Sequence, residues 1–84
     1  MAVKETIQGI EYDGVELFPL PINTFSKKLD LVDFEFYITV DKVKFFKIRS
    51  NMDAIPQMLS RYQLKGVKTV YVSEANFTVF LELP

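Results

Sequence analysis

The chain has 84 residues, 49% of them apolar and 25% charged, with ten basic residues against eleven acidic and neither His nor Cys. Scaling for folded monomers leaves roughly 5,200 Å² exposed of about 14,200 Å² when unfolded, enough for one core and one domain. Without His and Cys there is no disulfide framework, thiolate nucleophile or Ser-His or Cys-His triad, and no zinc or haem site built on imidazole or sulfur.

A net charge of -1 provides no field to concentrate polyanions, so no nucleic-acid partner is expected. Only Arg49 and Arg61 could grip a phosphate bidentately, and the Gly residues stand alone at 9, 14 and 66 rather than in a phosphate-cradling loop. Apolar runs are short and the N-terminus alternates polar and apolar residues, so no membrane segment or signal peptide is expected. Lack of Cys fits a reducing compartment, and the expected location is the cytoplasm.

Residues 1–14 carry isolated apolar residues closed by the turn pair Asp13-Gly14 and read as a leader or weak strand. Residues 15–84 read as a single small α/β domain. Val15 to Leu20 has an alternating pattern interrupted by Pro19, which predicts an edge strand. Residues 21–33 place Ile22, Phe25 and Leu29 at roughly helical spacing behind a possible Asn23 cap, a packed connection with at most one helical turn.

The sequence FEFYITV, residues 34–40, alternates strictly: Phe34, Phe36, Ile38 and Val40 share one face, Glu35, Tyr37 and Thr39 the other. After a short separation VKFFKIR follows, which predicts a β-hairpin. A two-residue loop would set Phe36 opposite Lys47 and put a lysine in the core face. A slip of one residue pairs Ile38 with Phe46 and Phe36 with Ile48 and keeps that face apolar, so this register is expected. It needs a three-residue loop, Asp41 to Val43, without the Gly that such loops usually carry. In this register Phe34, Phe36 and Phe46 are core residues. Tyr37 and Phe45 fall on the outer face beside Lys47 and Arg49, and these four are the interaction candidates. The competing expectation is that a second layer, the leader or the last helix, covers the aromatic pair.

A helix is expected from Asp53, as N-cap, to about Lys65, with Pro56 in its first turn and Ile55, Met58, Leu59 and Tyr62 as a core-facing stripe. Gly66 is the expected C′ glycine. Residues 67–73, VKTVYVS, then form a strand, completing a βαβ unit whose last strand runs parallel to the second hairpin strand. The tail reads two ways. Phe77, Val79, Leu81 and Leu83 alternate as in a strand, which propensity favours, whereas Phe77, Phe80 and Leu81 form one helical face behind a Ser73 cap.

Candidate acid/base groups are limited to carboxylates, Tyr and Lys. Asp30, Asp33, Asp41 and Asp53 all have ready roles as turn formers and caps, so no catalytic pair, and no enzyme, is expected. The run DLVD lacks the oxygen-ligand spacing and glycine of a calcium loop, and no metal or other cofactor is expected.

The order of features from Leu17 to about Glu82 resembles a small α/β domain found at the N-terminus of bacterial signalling proteins, often ahead of an HD-GYP cyclic-di-GMP phosphodiesterase module. The matching segments are LFPLPINTF (17–25), DFEFYITV and KFFKI (33–40 and 44–48), and LKGVKTVYVSEANFTVFLE (64–82). The hairpin loop departs from the pattern, with Asp41-Lys42 where Gly or Asn is usual, and the chain has no HD or GYP residues that would carry hydrolase activity. The resemblance implies a helix for the tail. The fold expected is therefore α+β or α/β: a small mixed sheet, made of a β-hairpin and a βαβ unit, with one main helix and a short C-terminal helix. It also implies a non-catalytic regulatory or sensory accessory domain, whose partner is a downstream catalytic or receiver domain of the same chain or a second copy. The alternative is a small module sensing a nucleotide or metabolite through Tyr37, Phe45, Lys47 and Arg49.

Overall fold

The structure, a computed structural model, describes residues 9–84; the earlier part of the leader lies outside them. The element order is β1 (Ile10–Tyr12), β2 (Val15–Pro21), α1 (Ile22–Lys27), a 3₁₀ turn (Leu29–Leu31), β3 (Phe36–Thr39), β4 (Phe45–Ile48), α2 (Ile55–Leu64), β5 (Thr69–Ser73) and α3 (Glu74–Leu81). The strands form one sheet in the order β1-β2-β5-β3-β4, every neighbouring pair antiparallel. This is the expected small α+β fold with one main helix and a short C-terminal helix, but its sheet is antiparallel throughout rather than the mixed one expected. β4 and β5 run the same way but are separated by β3, which pairs antiparallel with both, so the βαβ crossover skips one strand.

The leader contributes β1 through a two-residue turn. Tyr12 pairs with Val15, and Asp13 and Gly14 take φ of 54° and 80°, the left-handed pair that matches the twist of a hairpin. β2 is thereby internal, not the edge strand that Pro19 suggested. β1 pairs only Val15 to Leu17, so Pro19 lies beyond its end and the missing N–H breaks no ladder on that side.

The hairpin has the register expected from its apolar face, with Ile38 opposite Phe46 and Phe36 opposite Ile48. Its connection is longer than three residues, because regular pairing stops at Thr39 and Phe45. The left-handed position falls on Lys42, φ 63°. The Asp41 carboxylate holds the turn by accepting the backbone N–H groups of Val43 and Lys44 at 2.9 and 3.0 Å, and the Lys42 N–H donates to Thr39 Oγ1 at 2.8 Å.

All three helices pack on one sheet face. There Phe25, fully buried, meets Phe36 edge-on at 4.6 Å between ring centroids and stacks on Phe80 at 5.4 Å. Leu20, Ile38, Leu59, Val70 and Val72 are among the residues packed around them in this core. α1 is longer than the single turn expected, and Asn23 is inside it rather than capping it: its Oδ1 accepts from Gln63 Nε2 at 2.7 Å, tying α1 to α2. α2 starts at Ile55, not Asp53, and its N-cap is Ala54 in the left-handed region at φ 61°. It ends as expected on Gly66, whose φ of 92° lets Gly66 N–H reach the Gln63 carbonyl and Val67 N–H the Tyr62 carbonyl. The tail is helical, with Ser73 Oγ accepting from the Asn76 N–H at 3.4 Å.

Candidate functional site

The sheet face away from the helices carries the aromatic pair that the register placed there. Phe45, however, is buried at 6% exposure, in a second small core with Leu17 and Tyr71, flanked by Ile10, Tyr12 and Tyr37. The expectation that Phe45 lies exposed on an interaction face is thus overturned. The sheet curls, and Tyr12 from the leader covers Phe45, so the second layer comes from β1. Tyr37 is half-buried and aligned with Tyr71 across the β3–β5 pair. Burial pushes the Tyr71 phenol above its ordinary pKa of 10.0. Lys47 and Arg49 remain exposed on and just beyond β4, Lys47 near Glu35 at 3.7 Å and over the Tyr37 ring. The four candidates therefore divide into two packing residues and two surface cations.

Phe46 goes the other way. Expected in the core, it is 43% exposed, because β4 is the last strand and α2 does not extend over its outer margin. It forms one wall of a groove of about 390 Å³ between β4 and α2, with Ile48, Met52, Met58 and Tyr62 as further apolar surfaces. Met52 is 42% exposed. The charged side chains lining this groove, among the described residues, are Lys47, Arg61 and Lys65, with no carboxylate, and Lys44 Nζ lies 5.7 Å from the centroid of the Phe46 ring. Among the described residues the only ion pair is that of Lys47 with Glu35, which leaves Arg61 and Lys65 without an acidic partner.

Sequence reasoning missed this site for an identifiable reason. The helical spacing of Met58 and Tyr62 with Ile55 and Leu59 reads as a single buried stripe, but only Ile55 and Leu59 are buried and the other two turn toward the margin. The usable signal was the clustering of cations in the same segment, from Lys42 to Lys68.

A second hollow, of about 330 Å³, opens at the end of β3 and β5 and includes Lys42, Lys65 and Lys68 with Thr39 and Thr69 among its lining residues. Among the described residues no group of three or more acidic side chains converges to hold a metal ion. Among them, too, no helix is long and apolar enough to cross a membrane. Comparison with known proteins finds no family model, no curated protein and no solved structure that matches the chain.

Proposed function

We propose that this chain is a non-catalytic accessory domain of a bacterial signalling protein, acting in the cytoplasm through contact with another protein surface. That surface is a further domain of the same polypeptide or a second copy. The observation that carries the contact reading is the β4–α2 groove. An aromatic ring and a methionine, each more than two-fifths exposed, sit side by side with Met58 and Tyr62 behind them and cations around them. Water-exposed apolar surface of this kind in a chain of this size is stabilised when a partner covers it, and Met side chains repack to suit what arrives.

The test places a photo-reactive benzoylphenylalanine at position 46 of the intact gene product in its native cell, with Leu31 as the control position. Leu31 is comparably exposed, at 46%, but lies in the 3₁₀ turn after α1. A discrete cross-linked product from position 46, absent from position 31, is the expected result. No product, or the same products from both positions, overturns the reading.

A second reading, small-ligand sensing, is favoured by the hollow lined by Lys42, Lys65 and Lys68 with Thr69, whose cationic side chains suit an anionic nucleotide or metabolite, although the Thr39 hydroxyl at its edge is already engaged by the Lys42 N–H and Asp41. Titration with cyclic-di-GMP is then expected to shift the backbone amides of residues 42 and 65–69. Unchanged spectra at millimolar ligand remove that ligand.

A further inference from the structure

We infer that the occupant of the β4–α2 groove is an extended, acidic, apolar segment that adds to the sheet as a sixth strand along β4. This rests on the contact reading above and specifies its chemistry.

β4 is the last strand in the sheet, and only β3 pairs with it, so one edge of Phe45–Ile48 presents backbone groups with no backbone partner among the described residues. Such an edge accepts an added strand, whose main chain supplies the hydrogen bonds while alternate side chains select the sequence. In a strand laid along β4, every second side chain points to the helical face, where Phe46, Met52, Met58 and Tyr62 offer an apolar seat. The intervening side chains point to the opposite face, beside Lys47 and Arg49.

Charge fixes the class of partner. The groove wall supplies Arg61 and Lys65, and β4 with its flanks supplies Lys44, Arg49 and Lys47, the last already paired with Glu35, so five of the chain's ten basic residues lie at this margin. A basic segment is repelled here. An acidic segment gains attraction from cations on both faces of β4, and that attraction is screened by salt. The lysines also oppose edge-to-edge pairing of β4 with β4 of a second copy in a symmetric dimer, since like charges would meet.

The probe is a capped octapeptide of alternating glutamate and valine, titrated into isotopically labelled protein at low ionic strength and followed by amide shifts. Saturable shifts at residues 45–48 and 58–65 are expected. Binding should weaken at least tenfold when lysine replaces the glutamates, when alternate peptide nitrogens are methylated, or in the Lys47→Glu, Arg49→Glu variant, which reverses the charge on the face the glutamates occupy and whose exposed positions leave folding intact. Equal binding of the lysine peptide or of the charge-reversed variant overturns the acidic specificity. Equal binding of the methylated peptide overturns strand addition. Absence of shifts up to millimolar peptide overturns the inference as a whole. A cross-link from position 46 that survives any of these failures leaves the contact reading standing, so the two are separately falsifiable.

Discussion

Tyr12 and Phe45 stand on the two outermost strands of the sheet, yet their ring centroids are 4.7 Å apart. With strands spaced about 4.8 Å, four steps across a flat sheet would separate β1 from β4 by about 19 Å. The contact therefore requires the sheet to curl toward the face that bears no helix. The curl encloses Leu17, Phe45 and Tyr71, and Phe45 also meets Tyr71 edge-on at 5.4 Å. One small sheet thus has two cores, and the leader hairpin closes the second.

The clasp makes neighbouring phenylalanines unequal. Phe45→Ala removes a buried ring and is expected to cost about 3–5 kcal/mol, a large share of the roughly 5–15 kcal/mol available to a domain. Phe46→Ala removes a ring that already faces solvent and is expected to cost about 1 kcal/mol or less. Urea denaturation of both variants checks the difference. A double-mutant cycle of Tyr12→Ala with Phe45→Ala should return a coupling of about 0.5–1.5 kcal/mol for the ring pair. Equal costs at 45 and 46 would remove the second core.

The inversion of these two residues marks where sequence patterning stops. Alternation in residues 34–48 determines which side chains share a face, because a slip of one residue would bring Lys47 into the core, and the observed register agrees. Alternation does not say what lies above that face. Phe46 is on the helical side but at the margin that α2 leaves open. Phe45 is on the other side but under Tyr12, a residue 33 positions away brought there by sheet curl, which no local pattern encodes. The groove was hidden for the same reason: helical periodicity gives a face its direction, not the width of what covers it.

Ala54 caps α2 with φ 61°, and no side-chain hydrogen bond compensates. A left-handed conformation costs a residue with a Cβ about 1–2 kcal/mol, while glycine loses more chain entropy on folding by about 0.4–1 kcal/mol. Ala54→Gly is accordingly expected to stabilise by about 0.5–1 kcal/mol and to raise Tm by about 2–8 °C. Gly66→Ala, at φ 92° in the turn that ends the same helix, should do the opposite. Thermal melts followed by circular dichroism check both. A lower Tm for Ala54→Gly would contradict the left-handed cap.

The Asp41 carboxylate is held below its ordinary pKa of 3.8, first by the Lys44 N–H, then by that of Val43, with a smaller contribution from the Thr39 hydroxyl. Since the folded state binds the proton less tightly than the unfolded chain, ionised Asp41 stabilises the fold above the unfolded value. That contribution fades as pH falls through the folded one. Wild-type stability should therefore drop more steeply than that of Asp41→Ala as pH is lowered from about 5 to about 2. Urea midpoints at several pH values check this, and parallel curves would show that the turn draws nothing from the charge.

Residues 74–83 satisfy a strand pattern and a helix pattern equally well, and the choice falls to the residue before them. Ser73 has extended backbone, φ -66° and ψ 166°, and its Oγ accepts from the Asn76 N–H, while Glu74 places negative charge at the positive end of the helix dipole. That start sends Phe80 inward onto Phe25 and Phe77 onto Phe18, at 5.4 and 5.5 Å between ring centroids, contacts that a continuing strand would forfeit for one ring or the other. Because the cap bond is long, at 3.4 Å, Ser73→Ala is expected to cost about 0.5–1 kcal/mol, the lower part of the range for cap removal. Ser73→Asp should restore it. Hydrogen exchange locates the effect: in Ser73→Ala the Asn76 amide should lose protection while that of Val72 in β5 keeps it. Equal loss at both would mean that Ser73 stabilises the strand rather than starting the helix.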